Sequence, residues 1–410
     1  MNILYINHYA GSISMGMEFR PYYLAKEWMK LGHKVRIIAA DYSHLRKNNP
    51  KVKKNFEIQV IDGVEYQFIK TGVYSGNGVS RAVTMEQFCQ ALILKANKLV
   101  EEFKPDVVIS SSTYPLDSIP AKRIAKKAGA KLIHEVHDMW PSTLYEVGGM
   151  SKKHPFVTLM QIGENYAYRN CDELVSLLSD AKPYMVSHGL KSPKFHCIRN
   201  GIDEAEWTDQ EMLPEEHQKI LDGISEDNKF IVGYFGGHAL SNNLDFLLDV
   251  AAASKENEKL AFVLVGDGFK KEELMERAEK EALSNVVFLP AVAKNQVPAL
   301  LNCFDVVFIT AMKSPLYRFG VCMNKIFDTM MAATPSVVAV DTPTTPIGEA
   351  DCGITVEADN VAEAKAAIEE LAALTKADLE EMGLRGRNEA LEKYTYENIA
   401  KQFAELFGKK

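Results

Sequence analysis

The sequence lacks the features that would anchor it in a membrane or cross-link it. It has no uninterrupted apolar run of about 18 residues, the length that a membrane-spanning helix needs, and its start, MNILYINHYA, lacks the cationic and apolar regions of a signal peptide. The six cysteines are widely scattered without a CxxC pair, which argues against a disulfide framework and a zinc site. We therefore expect a cytoplasmic protein with reduced, mostly buried thiols and no zinc site.

Three binding motifs are also missing. The sequence contains neither G-x-G-x-x-G nor a P-loop lysine, so a dinucleotide or ATP site of either kind is not expected. It also lacks a module that combines aromatic and basic residues, and its net charge is −8. Nucleic acid is therefore not an expected partner.

Length and charge indicate two different halves. The chain has 410 residues with 47% hydrophobic and 25% charged residues, which predicts two globular domains rather than disorder. Residues 1–200 carry 27 Lys and Arg against 18 Asp and Glu, and residues 201–410 carry 20 against 37. The net charges of +9 and −17 suggest two units that face different partners.

Short apolar runs alternate with helical lengths throughout the chain. This pattern predicts βαβ units, and the nearly continuous apolar runs predict parallel strands covered on both faces. The expected fold is therefore α/β, with two doubly wound parallel-sheet domains joined near residues 195–228. One early helix should bury Leu24, Trp28 and Leu31 on one face. The predicted strands are 2–8, 34–40, 106–110, 131–136, 173–178, 230–235, 261–266, 285–290, 305–310 and 335–340.

Ligands of such sheets bind beyond the carboxyl ends of the strands, and two loops of the first half occupy such positions. Gly11 and Gly16 in the first loop would let backbone amides approach a phosphate or sugar. His137 and Asp138 follow the run KLIHEV and could bind hydroxyls, although an HD pair is often structural. We expect His134 to be packed inside its strand.

Two glycine-containing loops follow strands of the second half. The loop FGGHALSNN contains Gly236, Gly237 and His238 and leads into a helix whose first turn could face a diphosphate. The loop VGDGFKKEEL contains Gly266 and Asp267, which a simple tight turn explains equally well.

The segment SPLYRFGVCMNKIFDTMMAATPSVV holds the richest set of candidates. A helix that begins near Asn324 would present Lys325 and Asp328 on one face. Lys325 and Arg318 suit phosphate oxygens, and Asp328 suits a ribose diol. The alternative is a surface ion pair that caps the helix.

The order of these motifs resembles the family 4 glycosyltransferases of the GT-B fold, in particular bacterial enzymes of surface-polysaccharide assembly. The resemblance covers nearly the whole chain, through EFRPYYLAKEWMKLGHKV, HDMWP, RNGID, VGDG, VVFLPAVAKNQVPALLNCFDVV and NKIFDTMMAATPSVV. It implies retaining transfer from a nucleotide-sugar, with a UDP-sugar favoured over a GDP-sugar, to a polysaccharide or lipid-linked oligosaccharide. It also implies that no metal ion or other cofactor is required.

The resemblance also implies roles for the candidate residues. Gly16 would lie by the diphosphate or the acceptor, His137 would contact the sugar, Lys325 and Arg318 would hold the diphosphate, and Asp328 would match the second acidic residue of an E-x7-E motif. Gly320 stands where that motif has its first glutamate, and the loop GGHALSNN lacks the Arg and Lys of many members. We interpret both departures as lineage differences.

The resemblance further implies a domain plan and a membrane surface. Residues 1–198 would form the acceptor-side domain, residues 199–385 the nucleotide-sugar domain, and residues 386–410 a C-terminal helix that returns to the first domain. The cluster RKNNPKVKK at residues 46–54 would contact an anionic membrane from the cytoplasmic side. Two other functions remain open: a nucleotide-sugar epimerase of the same fold and a binding protein without catalysis.

Overall fold

The computed structural model describes residues 1–76, 78–208 and 210–408. The chain divides into two compact units, one formed by Met1–Arg199 with Tyr396–Lys410 and the other by Asn200–Thr395. Residues 386–395 belong to the second unit and not, as we expected, to the returning helix. They continue a long helix whose Gly383 and Gly386 pack closely on Ala333 and Cys352, and this packing holds them in the second unit.

The first unit contains eight strands in one sheet. Their spatial order is β3-β4-β2-β1-β5-β6-β7-β8, and all neighbouring pairs are parallel except β3 and β4. The elements of residues 1–199 are β1 (Asn2–Ile6), α1 (Arg20–Lys30), β2 (Lys34–Ala40), β3 (Glu57–Ile61), β4 (Val64–Ile69), α2 (Val79–Phe103), β5 (Val107–Ser110), α3 (Ser118–Ala128), β6 (Lys131–Val136), α4 (Ser142–Glu146), α5 (Pro155–Asn170), β7 (Glu173–Ser176), α6 (Lys182–Ser187) and β8 (Phe195–Cys197).

The second unit contains a six-stranded sheet in the order β11-β10-β9-β12-β13-β14 with parallel pairing throughout. Its elements are α7 (Ala205–Thr208), α8 (Glu215–Glu226), β9 (Phe230–Phe235), α9 (Leu244–Ala253), β10 (Leu260–Val265), α10 (Lys271–Lys280), β11 (Val286–Leu289), α11 (Val297–Leu301), β12 (Val306–Thr310), α12 (Asn324–Met331), β13 (Ser336–Ala339), α13 (Pro346–Glu349), β14 (Gly353–Val356), α14 (Val361–Ala372) and α15 (Lys376–Lys393).

Both sheets are buried on both faces, as the apolar runs predicted. In β1, Ile3 and Tyr5 belong to one apolar cluster while Leu4 and Ile6 belong to another, because successive side chains of a strand point to opposite faces. The prediction of two doubly wound parallel-sheet domains is therefore confirmed. In each sheet the chain reverses its direction of growth once, between β1 and β5 in the first unit and between β9 and β12 in the second.

The last helix, α16 (Tyr396–Ala404), packs on α1 of the first unit. The indole of Trp28 is fully buried, donates from Nε1 to the Ala400 carbonyl at 3.1 Å, and contacts the rings of Phe403 and Phe407, each at 5.3 Å. The C-terminal segment is thus part of the core of the first unit, since it covers an indole that would otherwise face water.

The strand ends were predicted to within about two residues, and four strands were missed. The runs 34–40, 131–136 and 230–235 match β2, β6 and β9. No continuous apolar run marks β3, β4, β8 or β14. Of these strands, β3, β8 and β14 lie at sheet edges, where side chains are partly exposed. Strand β8 and helix α8 also occupy part of the region predicted as a linker.

Three details of burial differ from expectation. Leu31 follows the end of α1 and is exposed, so it does not complete the apolar face. Of the six cysteines, only Cys171 and Cys352 are buried, and Cys197 is exposed. Arg46 is buried, where it donates to the Ala10 and Ala40 carbonyls, so it does not belong to the basic surface predicted at residues 46–54.

The packing of α16 predicts a cost for truncating its core side chain. Phe403→Ala should lower the free energy of unfolding of the first unit by about 3–5 kcal/mol, because it leaves a cavity beside Trp28. Chemical denaturation followed by tryptophan fluorescence would measure it. The control is Lys401→Ala on the same helix, which removes only an exposed ion pair with Glu397 and should change stability by less than about 0.5 kcal/mol. Equal effects of the two changes would contradict this role of α16.

Candidate functional site

In the second unit, the loops after β9 and β10 are locked together by glycines. A Cβ on Gly266 would lie 1.9 Å from the Gly236 carbonyl oxygen, and one on Gly268 would lie 2.3 Å from the His238 carbonyl oxygen. The His238 amide in turn donates to the Asp267 carbonyl at 2.8 Å. Only glycine permits this approach, and the approach fixes both loops at the carboxyl edge of the sheet.

His238 lies inside these interlocked loops. Its ring is fully buried, and neither ring nitrogen has a hydrogen-bond partner within the residues that the structure describes. Burial lowers the pKa of His238 to about 4, with Lys271 acting in the same direction. The ring is therefore neutral at pH 7 and adds no charge to the loop. Asp267 is exposed, and its carboxylate accepts from the Gly268 amide at 2.8 Å.

Lys325, in the first turn of α12, reaches the loop that follows β9. Its Nζ lies 3.3 Å from the Tyr234 hydroxyl and 3.3 Å from Oδ1 of Asn242, and it sits 4.5 Å from the centre of the Tyr234 ring. A Cβ on Gly236 would lie 3.5 Å from the same Nζ. The structure thus brings Lys325 and Gly236 together, at the point where the order of strands reverses.

Tyr234 and Asn242, which contact the Lys325 ammonium, are both hydrogen-bonded to one backbone carbonyl. The Tyr234 hydroxyl and the Asn242 amide both donate to the Gly237 carbonyl, at 2.9 and 2.8 Å. No carboxylate of the described residues lies within ion-pair distance of the Lys325 ammonium. Burial lowers its pKa to about 8. The site is therefore a cation without a counter-charge, which is suited to an anionic ligand.

Asp328 lies one turn further along α12. Its side chain is partly buried and has no hydrogen-bond partner in the described part of the chain. Burial raises its pKa to about 7, Lys294 opposes this rise, and Glu206 adds to it. Lys294 and Glu206 form an ion pair of 2.7 Å. The carboxyl of Asp328 therefore retains hydrogen-bonding capacity that the protein itself does not use.

Arg318 and Gly320 lie in the turn before α12. The Arg318 guanidinium is exposed, stacks 4.1 Å from the centre of the Phe319 ring and donates to the Pro315 carbonyl. Gly320 is buried with φ of +96°, a conformation that disfavours a side chain. The local backbone therefore suits the glycine that replaces the first acidic residue of the expected motif.

In the first unit, His137 belongs to a buried polar network. Its Nε2 lies 3.1 Å from Oε2 of Glu135 and 2.9 Å from the Ser111 hydroxyl. Glu135 is fully buried and accepts from Arg20 Nε at 2.9 Å. The Glu135 carboxylate raises the pKa of His137 against the opposing effect of burial. His134, as expected, is packed, and its Nδ1 lies 2.9 Å from the Ser110 hydroxyl.

The other two candidates of the first unit have different surroundings. Asp138 is exposed beside His137. The Gly16 amide donates to the Ser12 carbonyl at 2.7 Å, and the Gly11 amide donates to the Glu18 carbonyl at 2.7 Å. Both amides are therefore used inside the loop, and the expected approach of these amides to a phosphate is not the arrangement that the structure shows.

Sequence reasoning missed the residues that position the candidates. Tyr234 and Asn242 around Lys325 carry no motif, and their role depends on two loops that only the fold brings together. Glu135 did leave a signal, since a carboxylate inside the buried run KLIHEV requires a partner. That partner, Arg20, lies 115 residues earlier in the chain.

Two family models match the chain. The model described as Glycosyltransferase Family 4 matches residues 15–206, and the model described as Glycosyl transferases group 1 matches residues 229–373. Together they cover most of both units, and the chain belongs to the family 4 glycosyltransferases of the GT-B fold.

Two curated relatives match part of the chain. The probable glycosyltransferase WbjE of Pseudomonas aeruginosa is 23% identical over 262 residues, which is 62% of each protein. The putative colanic acid biosynthesis glycosyl transferase WcaI of Escherichia coli is 23% identical over 210 residues, which is 50% of each protein. The aligned region therefore spans less than two thirds of either relative.

Solved structures resemble the chain over its whole length. HepE of Anabaena in complex with UDP and glucose has a TM-score of 0.65 at 16% identity and covers 100% of both chains. Sucrose-phosphate synthase of Thermosynechococcus elongatus has a TM-score of 0.70 at 15% identity, over 99% of this chain and 98% of the other. The E. coli trehalose-6-phosphate protein bound with UDP-2-fluoro glucose has a TM-score of 0.72 at 10% identity, over 99% and 98%. These likenesses establish the fold.

The described residues contain neither a membrane-spanning helix nor a cluster of metal-ligating side chains. Among the helices of these residues, none is long and apolar enough to cross a membrane. No group of three or more His, Cys, Asp or Glu side chains that could hold a metal ion lies within the same part of the chain.

The interlocked loops predict that substitution by alanine lowers stability much more at Gly266 than at Gly237. Gly266→Ala should destabilise the second unit by roughly 1–3 kcal/mol, because its Cβ would overlap the Gly236 carbonyl and displace the loop. Gly237→Ala is the matched control, since its Cβ would have no neighbour closer than 3.8 Å and should be nearly neutral. Chemical denaturation of both variants measures the difference, and equal stabilities would show that the loops are not interlocked.

Proposed function

We propose that the protein is a retaining glycosyltransferase that moves a hexosyl or related sugar from a nucleotide-sugar to a polysaccharide or lipid-linked oligosaccharide. The observation that carries this proposal is the buried ammonium of Lys325, which has no carboxylate partner in the described chain and lies against a glycine-lined loop. A diphosphate supplies the missing negative charge. Uridine is favoured as the base because HepE and the E. coli protein were solved with UDP or a UDP-sugar, and a GDP-sugar is the alternative.

The donor half of the proposed site is divided among three side chains. Lys325 and the amides of the first turn of α12 bind the diphosphate, since helix N-termini favour anions. Arg318 adds a second, exposed cation. The carboxylate of Asp328 accepts hydrogen bonds from the two ribose hydroxyls, which would use the bonding capacity that the structure leaves open.

The proposed reaction exchanges one bond at the anomeric carbon. The bond to the diphosphate oxygen breaks while the acceptor hydroxyl oxygen bonds to the same face of that carbon, so the configuration is retained. The acceptor proton passes to the departing phosphate. Negative charge develops on that phosphate, and the fixed cations Lys325 and Arg318 stabilise it, so we propose no additional cofactor.

The first unit carries the sugar and acceptor functions in this proposal. His137 binds a sugar hydroxyl, and Asp138 is the neighbouring exposed acceptor of hydrogen bonds. Lys47, Lys51, Lys53 and Lys54 are exposed, which supports contact of this unit with an anionic cytoplasmic membrane surface at about 1 kcal/mol per cation. Such contact would keep the enzyme beside a lipid-linked acceptor.

The first prediction of this function concerns nucleotide binding. At a hundredfold excess over its dissociation constant, UDP should stabilise the protein by roughly 2.7 kcal/mol and raise the melting temperature by roughly 5–11 °C. Thermal denaturation with UDP, GDP, ADP and CDP would identify the base. The absence of a shift with all four nucleotides would contradict the proposed nucleotide site.

Retention is tested separately, by proton NMR of the anomeric position in the product.

A further prediction compares the UDP affinity of a variant at Asp328 with that of a variant at a carboxylate that has no proposed role. Asp328→Asn should reduce UDP affinity about tenfold or more, because a carboxamide replaces one of the acceptor oxygens with a donor. Its stability without ligand should not fall, since the substitution removes a buried charge that has no hydrogen-bond partner. Asp222→Asn, an exposed carboxylate on α8, serves as the control and should bind UDP like the wild type.

A further prediction concerns the pH dependence of UDP binding. Because Lys325 has a pKa of about 8, UDP affinity should fall as the pH rises through this value and the ammonium loses its proton. Lys325→Arg should keep its charge and flatten the fall. The control Lys259→Arg, at an exposed position, should retain the wild-type profile. Calorimetry above pH 7 measures the affinity where the terminal phosphate of UDP, whose pKa is about 6, is already ionised. Identical pH profiles of UDP affinity for Lys325→Arg and the wild type would contradict the role of Lys325.

A further inference from the structure

The Glu135 carboxylate is the centre of a fully buried cluster of hydrogen-bond donors. Its Oε1 accepts from Arg20 Nε at 2.9 Å, and its Oε2 accepts from the hydroxyls of Tyr5 and Ser111 at 2.5 and 2.6 Å. These contacts hold the pKa of Glu135 far below its usual range although burial opposes this shift. Glu135 is therefore ionised and can only accept hydrogen bonds.

Counting the protons fixes the state of the neighbouring histidine. Ser111 has one hydroxyl proton, which it donates to Glu135, and its oxygen also accepts from Asn7 Nδ2 at 3.3 Å. The two atoms that face His137 Nε2 are thus the Ser111 oxygen at 2.9 Å and Oε2 of Glu135 at 3.1 Å. Both are acceptors, so Nε2 must carry a proton.

The other nitrogen of the ring has no such partner. No hydrogen bond to Nδ1 of His137 is formed by the described residues, and the side chain keeps 12% of its surface exposed. When the ring is neutral, the lone pair of Nδ1 is therefore directed away from the network. This nitrogen is the atom that a ligand can reach.

We infer that Glu135 is a positioning residue which, together with Ser111, holds the His137 proton on Nε2, so that Nδ1 accepts a hydrogen bond from a hydroxyl of the ligand. The identity of this ligand as a sugar rests on the proposed function, but the position of the proton does not. In the reverse tautomer, Nε2 would present a lone pair to two acceptors, and the ligand would meet a donor.

Charges from several elements act on this ring. Glu135 on β6 and Glu18 before α1 favour the protonated form, while Arg20 at the start of α1 opposes it. His134 on β6, Asp117 before α3 and Asp138 beside the ring also interact with His137. The Arg20 cation keeps Glu135 ionised and limits how strongly Glu135 promotes the doubly protonated ring. The net effect of these groups is a raised pKa of His137, and Nδ1 can accept a hydrogen bond once the ring has lost its second proton.

Nitrogen-15 NMR of the full-length protein tests the proton position directly. The His137 signals are assigned by their loss in His137→Gln, and in the wild type above the pKa of the ring we expect a protonated Nε2 and an unprotonated Nδ1. A wild-type ring with its proton on Nδ1 would overturn the inference. This measurement needs no variant of the network, so it stands even if such a variant does not fold.

Glu135→Gln tests the cause. The amide of glutamine can donate to Nε2, so the proton should move toward Nδ1, and the His137 pKa should fall by about 1–3 units. The matched control is Glu173→Gln on the adjacent strand β7, because Glu173 contacts a different histidine, His196, at 2.9 Å. It should leave the tautomer of His137 unchanged. An unchanged tautomer and pKa of His137 in Glu135→Gln would refute the role of Glu135.

The positioning role of Glu135 and the proposed function can fail separately. If the wild-type ring has the expected tautomer but no sugar is transferred from any nucleotide-sugar tested, the proposed function fails and the positioning role stands. If transfer occurs, Glu135→Gln should shift the acidic limb of the pH profile of kcat as well as lower kcat. A merely structural role would lower kcat without moving that limb.

Discussion

The second unit is organised around a buried ammonium that has no counter-charge in the described chain. Lys325 lies against the Gly236 loop, and that loop is held in place because Gly266 and Gly268 allow carbonyl oxygens to come within a distance that a Cβ would block. Keeping the ammonium charged in this position costs about 3 kcal/mol relative to water, from the fall of its pKa to about 8. Packing alone does not require such an arrangement, and its cost is typical of a functional site.

Asp328 and Lys325 have pKa values that burial moves toward each other, to about 7 and about 8. Between about pH 4 and 7 the native state keeps a proton on Asp328 that the unfolded chain has released, so stability falls as the pH rises. Between about pH 8 and 10.4 the unfolded chain keeps a proton on lysine that the native state has released, so stability rises with pH. The contribution of these two groups to stability is therefore least favourable near neutral pH, where both are ionised.

The parallel strands could be predicted from the sequence because burial on both faces leaves a continuous apolar run, as in KLIHEV and FIVGYF. The strands β3, β8 and β14 leave no such run because they are short or partly exposed at sheet edges. Arg46 shows a second limit, since a cluster of basic letters does not reveal which side chain turns inward to bind the carbonyls of Ala10 and Ala40. In the candidate site, Lys325 and Asp328 were predicted from their spacing on one helix, and the structure places both on α12. Arg20 and Glu135, and likewise Tyr234 and Lys325, are brought together by tertiary contacts that span 91 residues or more.

The two units differ in how they compensate charge, and this difference bears on what each can bind. Around His137, the Glu135 carboxylate is paired with Arg20 and hydrogen-bonded by Tyr5 and Ser111, and the neutral ring leaves Nδ1 as its one nitrogen without a partner among the described residues. Such a group suits an uncharged hydroxyl, because a charged ligand would gain little there and would still lose its hydration. Around Lys325 the cation is not neutralised, so an anion gains both the hydrogen bonds and the charge interaction that the protein leaves open. Each unit therefore offers its own binding chemistry, an acceptor for a neutral hydroxyl in the first unit and an uncompensated cation in the second.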